Sequence, residues 1–231
     1  MKSKSRIGAF IGIGILIGFV IYYIVMTVID LASLGSAEKA DPKTLNIVNG
    51  QSVTGYFKNF EGAKDDGPIF TMEHSINGLI PTGKEYFFIL YDESYTKALY
   101  VRADKDFIKD SKEKLAENNG AGIELTGRIR ELRSKIKFEL NDINYQLSQY
   151  NIDVISDGNE ILYLDLTTKT QCVLRIITIV LLAGAAVIIG MFSKKKLFPE
   201  NEALNKAFGI AAVVMLIAGI VGMIYTMTFL M

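Results

Sequence analysis

Three uninterrupted apolar stretches, Ile7–Ile29, Val173–Phe192 and Phe208–Met231, bracket a polar middle and constrain this chain more than any motif in it. They contain 23, 20 and 24 residues. At a helical rise of about 1.5 Å per residue, each is long enough to cross a hydrocarbon core roughly 30 Å thick. Lipid offers the backbone no hydrogen-bond partner, so a crossing segment must satisfy its own polar groups, as a helix does. Arg175 is the only formal charge inside the stretches, and it sits near one end, where its long stem can carry the guanidinium to water. The pattern predicts membrane helices over residues 7–32, 171–192 and 208–231. It leaves a short amino-terminal segment at 1–6, a short loop at 193–207 and one polar, water-exposed domain at 33–170. A cleaved signal peptide would need an apolar core of roughly 7–15 residues. The first stretch is far longer, so a retained anchor is expected, although Leu34-Gly35-Ser36-Ala37 has the small residues of a cleavage region.

Positive charge beside membrane helices stays on the cytoplasmic side. Lys2, Lys4 and Arg6 precede the first stretch with no acid among them, and Lys194, Lys195 and Lys196 follow the second. In a three-pass chain both clusters fall on one side, so the amino terminus and the short loop are expected inside and the domain outside the cytoplasm. Arg175, at the outer end of the second stretch, counts the other way as a single residue against two clusters. The whole chain balances 25 basic against 25 acidic residues, but residues 33–170 hold 17 lysines and arginines against 22 aspartates and glutamates, a net of −5. Such a domain does not suit nucleic acid or anionic headgroups. Cys172 is the single cysteine, so an intrachain disulfide is impossible.

Within the polar part the pattern is β-rich. Ser52–Phe60 alternates around Val53, Gly55 and Phe57, and a turn-rich loop follows at Glu61–Pro68. Tyr86–Tyr91 is a continuous apolar run of the kind buried on both faces, with Lys97–Ala103 as its hairpin partner across Asp92–Thr96. Asp106–Asn119 changes to a helical period, with Phe107, Ser111 and Leu115 on one face and Gly120 at its end. Ile123, Leu125, Gly127 and Ile129 then alternate with Glu124, Thr126, Arg128 and Arg130, as in a half-buried strand. Ile136, Phe138 and Leu140 read as strand, Asn141–Tyr150 as a second helix, and Val154–Leu166, broken at Asp157-Gly158, as a closing hairpin.

Three strands, a helix and further strands follow the order of an OB-fold, a five-stranded Greek-key barrel. The phrase IELTGRIREL at Ile123–Leu132 resembles the fourth strand of such barrels, with a glycine where that strand must bend. The expected fold class is therefore three transmembrane α-helices plus one β-rich α+β domain, OB-fold-like. The wider arrangement also resembles uncharacterised membrane proteins of Gram-positive bacteria that carry such a domain outside the cytoplasm. That resemblance implies a bacterial cell-membrane location and brings no activity with it, because OB barrels host many unrelated ligands.

Chemistry is harder to place. His74 is the only histidine, in the irregular stretch Thr71–Glu85, which reads as a loop packed over a barrel end with His74 hydrogen-bonded to backbone; as a candidate ligand or partner loop it would offer His74, Asn77, Lys84 and Glu85. Ser75 cannot act with His74 as a nucleophile pair, since neighbours on a strand point to opposite faces. One histidine and no cysteine in the domain leave zinc without ligands, and Glu61, Asp65 and Asp66 lack the spacing of a calcium loop. Gly78 and Gly83 do not form a phosphate loop. No cofactor, metal or catalytic set is expected. Arg128 and Arg130 share one outward face and could meet an acidic partner or simply solubilise the strand.

Gly8/Gly12, Gly14/Gly18, Ala186/Gly190 and Ala218/Gly222 place small residues four apart, a spacing that lets helix backbones approach in lipid. The partners expected are thus the lipid bilayer and either a membrane or envelope protein or a second copy of the chain. Two alternatives stay open: an accessory subunit of a transporter or channel, and a membrane-bound enzyme whose chemistry the residues do not disclose.

Overall fold

The computed structural model of the chain describes residues 2–41, 43–45, 47–76, 80–194 and 202–228. It runs through α1 (Lys2–Gly35), β1 (Glu38–Lys39), β2 (Ser52–Phe57), β3 (Phe60–Glu61), β4 (Phe70–Ile76), β5 (Ile80–Tyr91) and β6 (Lys97–Ala103). There follow α2 (Phe107–Glu117), β7 (Ile123–Glu131), α3 (Ser134–Glu139), α4 (Asn141–Gln149), β8 (Asp153–Val154), β9 (Ser156–Asp157), β10 (Glu160–Asp165), α5 (Thr168–Lys194) and α6 (Glu202–Thr228). Two compact units result: Met1–Ile29 with Thr170–Met231, and Asp30–Lys169.

Among the described residues three helices are long and apolar enough to cross a membrane, over Ile17–Gly35, Thr168–Ile189 and Glu202–Thr226. Each outruns the sequence expectation. The segment 1–6 is helical from Lys2, α5 continues to Lys194, and α6 begins at Glu202, inside the span expected as loop. Residues 195–201 of that loop lie outside the described residues. Helices α5 and α6 meet at glycines: a Cβ on Gly184, Gly219 or Gly222 would run into Met215, Leu182 or Thr178. Tyr23 of α1 donates its hydroxyl to the Met223 carbonyl at 2.6 Å and accepts from Thr226 at 2.8 Å, so α1 and α6 also exchange polar contacts at buried positions.

The small residues singled out from the sequence are placed differently from one another. Gly222 lies against Thr178, Gly18 faces open space, and Ala186 and Ala218 are exposed. Gly8, Gly12, Gly14 and Gly190 lie at helix positions whose packing falls outside the described residues. The contact residues Gly219, Gly222 and Thr226 repeat at intervals of three and four, which is the helix's own period, so they form one seam. Arg175 does not reach for water. It is fully buried, with Nη2 3.4 Å from the Gln171 side chain.

The second unit is α+β. Its sheet has the order β1-β2-β7-β10-β6-β5-β3, with β4, β8 and β9 attached to β5, β6 and β10. The neighbours β2 and β3 are separated only by Lys58-Asn59, yet β2 pairs with β7 and β3 with β5, so the sheet curls back on itself. The pairings among the long strands are antiparallel except β6 with β10, where Tyr100, Val101 and Arg102 lie opposite Tyr163, Leu164 and Asp165; the two-residue strands β1 and β8 also pair in parallel, with β2 and β6. Gly127 makes the approach of β10 to β7 possible: a Cβ there would sit 2.7 Å from the Asp165 carbonyl oxygen. Gly120 ends α2 with φ +75°, a conformation that costs glycine little.

Period-two alternation divides the apolar residues between two faces. Val53, Phe57, Phe88, Leu90, Leu99, Val101, Ile123, Leu125, Ile129, Leu162 and Leu164 pack inside the curl with Phe107 and Ile108 of α2. Phe87, Ile89, Tyr91, Tyr100 and Tyr163 pack on the other face beneath Ile136 of α3, Leu147 of α4 and Leu140 between the two helices. The strand expected at Ile136–Leu140 is thus a helix: Ile136 and Leu140, four apart, are buried, and Phe138 between them is 80% exposed. The loop expected at Thr71–Glu85 is a hairpin of β4 and β5, with a register shift at His74/Ser75.

Candidate functional site

The face under α3 and α4 does not stay apolar along its whole length. At one end, strand by strand, it presents His74 on β4, Glu85 on β5, Arg102 on β6, Asp165 on β10, and Arg128 and Arg130 on β7. The parallel register puts Asp165 beside Arg102, and the antiparallel one puts it beside Arg128. Arg102 bridges two acids: its Nη1 donates to Glu85 at 3.2 Å, while its Nε and Nη2 donate to Asp165 at 3.1 and 2.5 Å. Arg130 donates from Nε to Asp165 at 3.1 Å and from Nη2 to Asp30 at 3.2 and 3.3 Å. Arg128 donates to Asp30 as well, and Arg133 donates to both Glu85 oxygens at 2.6 Å. Asp30 lies in the last turns of α1, where Ser33 also hydrogen-bonds Ser52 of β2 at 2.6 Å.

Glu85, Arg102, Asp165 and Asp30 are all at most 2% exposed, so each buried charge depends on its ion pairs, including those with the less buried Arg128, Arg130 and Arg133. Asp165 is a clear case. Burial alone would raise its carboxyl pKa, but the Arg102 guanidinium, with help from Arg130 and the Thr167 hydroxyl, holds it below the usual carboxylate range. Burial would lower the Arg102 value, and Asp165, Tyr163 and Glu85 reverse that shift and raise it. The Arg102 guanidinium also lies 5.5 Å from the Tyr163 ring centre. His74 has Nε2 3.2 Å from Glu85, and burial lowers its pKa against the opposing pull of that carboxylate. Every carboxylate in the row is engaged by guanidinium, which suits a clamp on the sheet and the end of α1.

The sequence-derived site residues separate accordingly. His74 and Glu85 do come together, but on paired strands and facing inward, while Lys84 points the other way to exposed Glu73. Asn77 lies outside the described residues. Arg128 and Arg130 share a face as expected, and the acidic partner of that face is the chain's own Asp30 and Asp165. Arg102 and Asp165 went unnoticed as site residues. Their only local sign is a charge within the otherwise apolar LYVRA and LYLDL runs.

A second feature is a cleft of about 420 Å³ between β3, β5 and α4. Glu61, Tyr91, Tyr95, Gln146 and Tyr150 line it above a floor of aliphatic side chains such as Ile89 and Leu147. The Tyr91 and Tyr95 rings lie 5.4 Å apart with planes 37° from one another, and Tyr91 donates its hydroxyl to Glu61. Burial, followed by the Glu61 carboxylate, raises the Tyr91 phenol above its usual range, so that proton stays in place. Among the described residues no group of three or more His, Cys, Asp or Glu side chains could hold a metal ion.

Comparison with protein-family models, with curated proteins and with solved structures finds no match to this chain.

Proposed function

We propose that the chain is an integral membrane protein whose polar unit stands outside the cytoplasm as an OB-like barrel and serves as a binding or assembly module for a membrane or envelope partner. The observation that carries this reading is a self-contained polar unit, with its own core and an open cleft, inserted between helices long and apolar enough for a bilayer. The barrel reading is supported by the order β2/β3, β5, β6, α2, β7, β10, with the third and fifth of these strands parallel. Orientation rests on Lys2, Lys4 and Arg6 and on Lys194–Lys196, which fall on one side of a three-pass chain.

A second reading, an accessory subunit of a larger membrane complex, is favoured by one observation. Gly18, Ala186 and Ala218 are turned away from the contacts among the three helices and leave smooth faces for a lateral neighbour.

Two measurements decide these matters. A cysteine introduced at Asp65 should react with an impermeant thiol reagent on intact cells, and one at Lys195 should not. The native Cys172 is buried and gives little background. The reverse pattern overturns the orientation. Gentle solubilisation and copurification then separate the readings: a stoichiometric multi-pass partner selects the subunit, and an envelope protein or a second copy selects the module.

A further inference from the structure

The tyrosine cleft has two properties that a crevice between a strand and a helix does not need. Glu61 is its only charged lining residue, and among the described residues that carboxylate accepts the Tyr91 hydroxyl and faces no cation. Its walls are aromatic: Tyr91 and Tyr95 are tilted towards each other, and Tyr150 stands at the rim, 78% exposed. Tyr95 holds this place with φ +55°, a left-handed conformation that a bulky residue rarely adopts and that glycine would take without strain. The backbone there is thus bent in a way the turn itself does not require a tyrosine to make.

We propose that this cleft binds an organic ammonium ion, with its charge set between the Glu61 carboxylate and the faces of Tyr91, Tyr95 and Tyr150, and its alkyl part on the aliphatic floor. The face of an aromatic ring is negative, and a cation within about 6 Å of a ring centre is attracted to it, more strongly once water is excluded. A carboxylate behind the rings adds direct attraction and repels anions. The domain's excess of acid over base favours the approach of a cation. The cleft's volume, about 420 Å³, falls within the ordinary range for small-ligand sites. A neutral sugar would leave the Glu61 charge unanswered. The same ammonium chemistry could be a free amine or a lysine side chain of a partner protein.

The proposal rests on the reading of the polar unit as a binding module, and the two fail separately. Cysteine labelling tests the module's placement, and a ligand titration tests the cleft. The chain has no tryptophan, and eight of its eleven tyrosines lie between Asp30 and Lys169, so tyrosine fluorescence of the full chain in non-ionic detergent reports on this unit. Tetramethylammonium chloride should produce a saturable change that sodium chloride, glucose and the neutral isostere tert-butanol do not. Glu61→Gln and Tyr95→Gly should each weaken it about tenfold, in keeping with the strength of a partly desolvated cation–π contact. Glycine suits the backbone at 95, so a loss of binding there is not a loss of fold. Tighter binding of butylammonium than of tetramethylammonium would support a lysine side chain as the source. An equal response to tert-butanol, no saturable response, or variants that bind as well as the wild type would overturn the proposal.

Discussion

The two faces of the polar sheet are built on different physics. Inside the curl, β2, β6, β7 and β10 contribute aliphatic and aromatic side chains from end to end, closed by α2. The face beneath α3 and α4 begins the same way, with Phe87, Ile89, Tyr100 and Tyr163, but ends in Glu85, Arg102, Asp165 and Arg130. The first face needs only shape and volume. The second needs every charge to find its partner, because a buried ion is costly alone and roughly neutral when paired. Hydrocarbon tolerates sliding, whereas a bridging arginine fixes register. The ionic end ties β6 to β10 and the last turns of α1 to β7.

The largest effect should come from bringing the logic of one face to the other. Leu125→Asp places a carboxylate in the apolar cluster inside the curl, at a buried position shared with Ile123 and Phe107. The cost is several kcal/mol, comparable with the whole stability of a domain of this size. Tyrosine fluorescence of the full chain should show the unit unfolded at temperatures where the wild type is folded. A near-native melt would mean that this face is not sealed.

Asp165→Asn tests the ionic end. It removes the charge that Arg102 and Arg130 share while keeping the shape, and leaving a buried arginine underpaired costs about 3–5 kcal/mol. The acid dependence gives a sharper readout. Because the folded Asp165 carboxyl is held below its ordinary value, its stabilising effect is complete above that ordinary value and is lost as pH falls through the folded one. His74 adds to the same trend, since its lowered value makes the folded state bind fewer protons than the unfolded one below the ordinary histidine range. The wild type should lose stability on acidification, and Asp165→Asn should lose less of it. Equal acid slopes would remove Asp165 from the account.

The division between faces was legible in the sequence wherever local period carries it. Lys97–Ala103 is a strand over the expected residues, and Phe107, Ile108 and Ser111 are the buried side of α2. Ile136-Lys137-Phe138-Glu139-Leu140 misled because apolar residues at every second position also place two of them four apart, and only packing decides which spacing is used. The charged row is not legible from spacing. Arg102 and Asp165 are 63 residues apart, so their pairing depends on the parallel register of β6 and β10. The tyrosine cleft has the same cause, since Glu61, Tyr95 and Tyr150 meet only once β3 pairs with β5 and α4 lies over it. Alternation did place Arg128 and Arg130 together, but it could not supply Asp30 as their partner.

The smallest expected effect lies within a single strand and tests whether the ionic end extends as far as β7. Along β7, Glu124, Thr126 and Arg128 point the same way, yet only Arg128 is drawn into an ion pair, with side-chain exposure of 16%. Sequence alternation alone makes all three solvent-facing and equally replaceable. The structure separates them. Arg128→Gln should cost only about 1 kcal/mol, the usual net worth of one hydrogen bond, because Arg130 keeps Asp30 paired. Arg128→Asp should cost clearly more, since it sets a second carboxylate against buried Asp30, while Thr126→Asp, at an exposed position, should leave the melt within experimental error. If Arg128→Asp proves as silent as Thr126→Asp, the charged row ends at Arg130, and the contact between β7 and the end of α1 contributes nothing measurable.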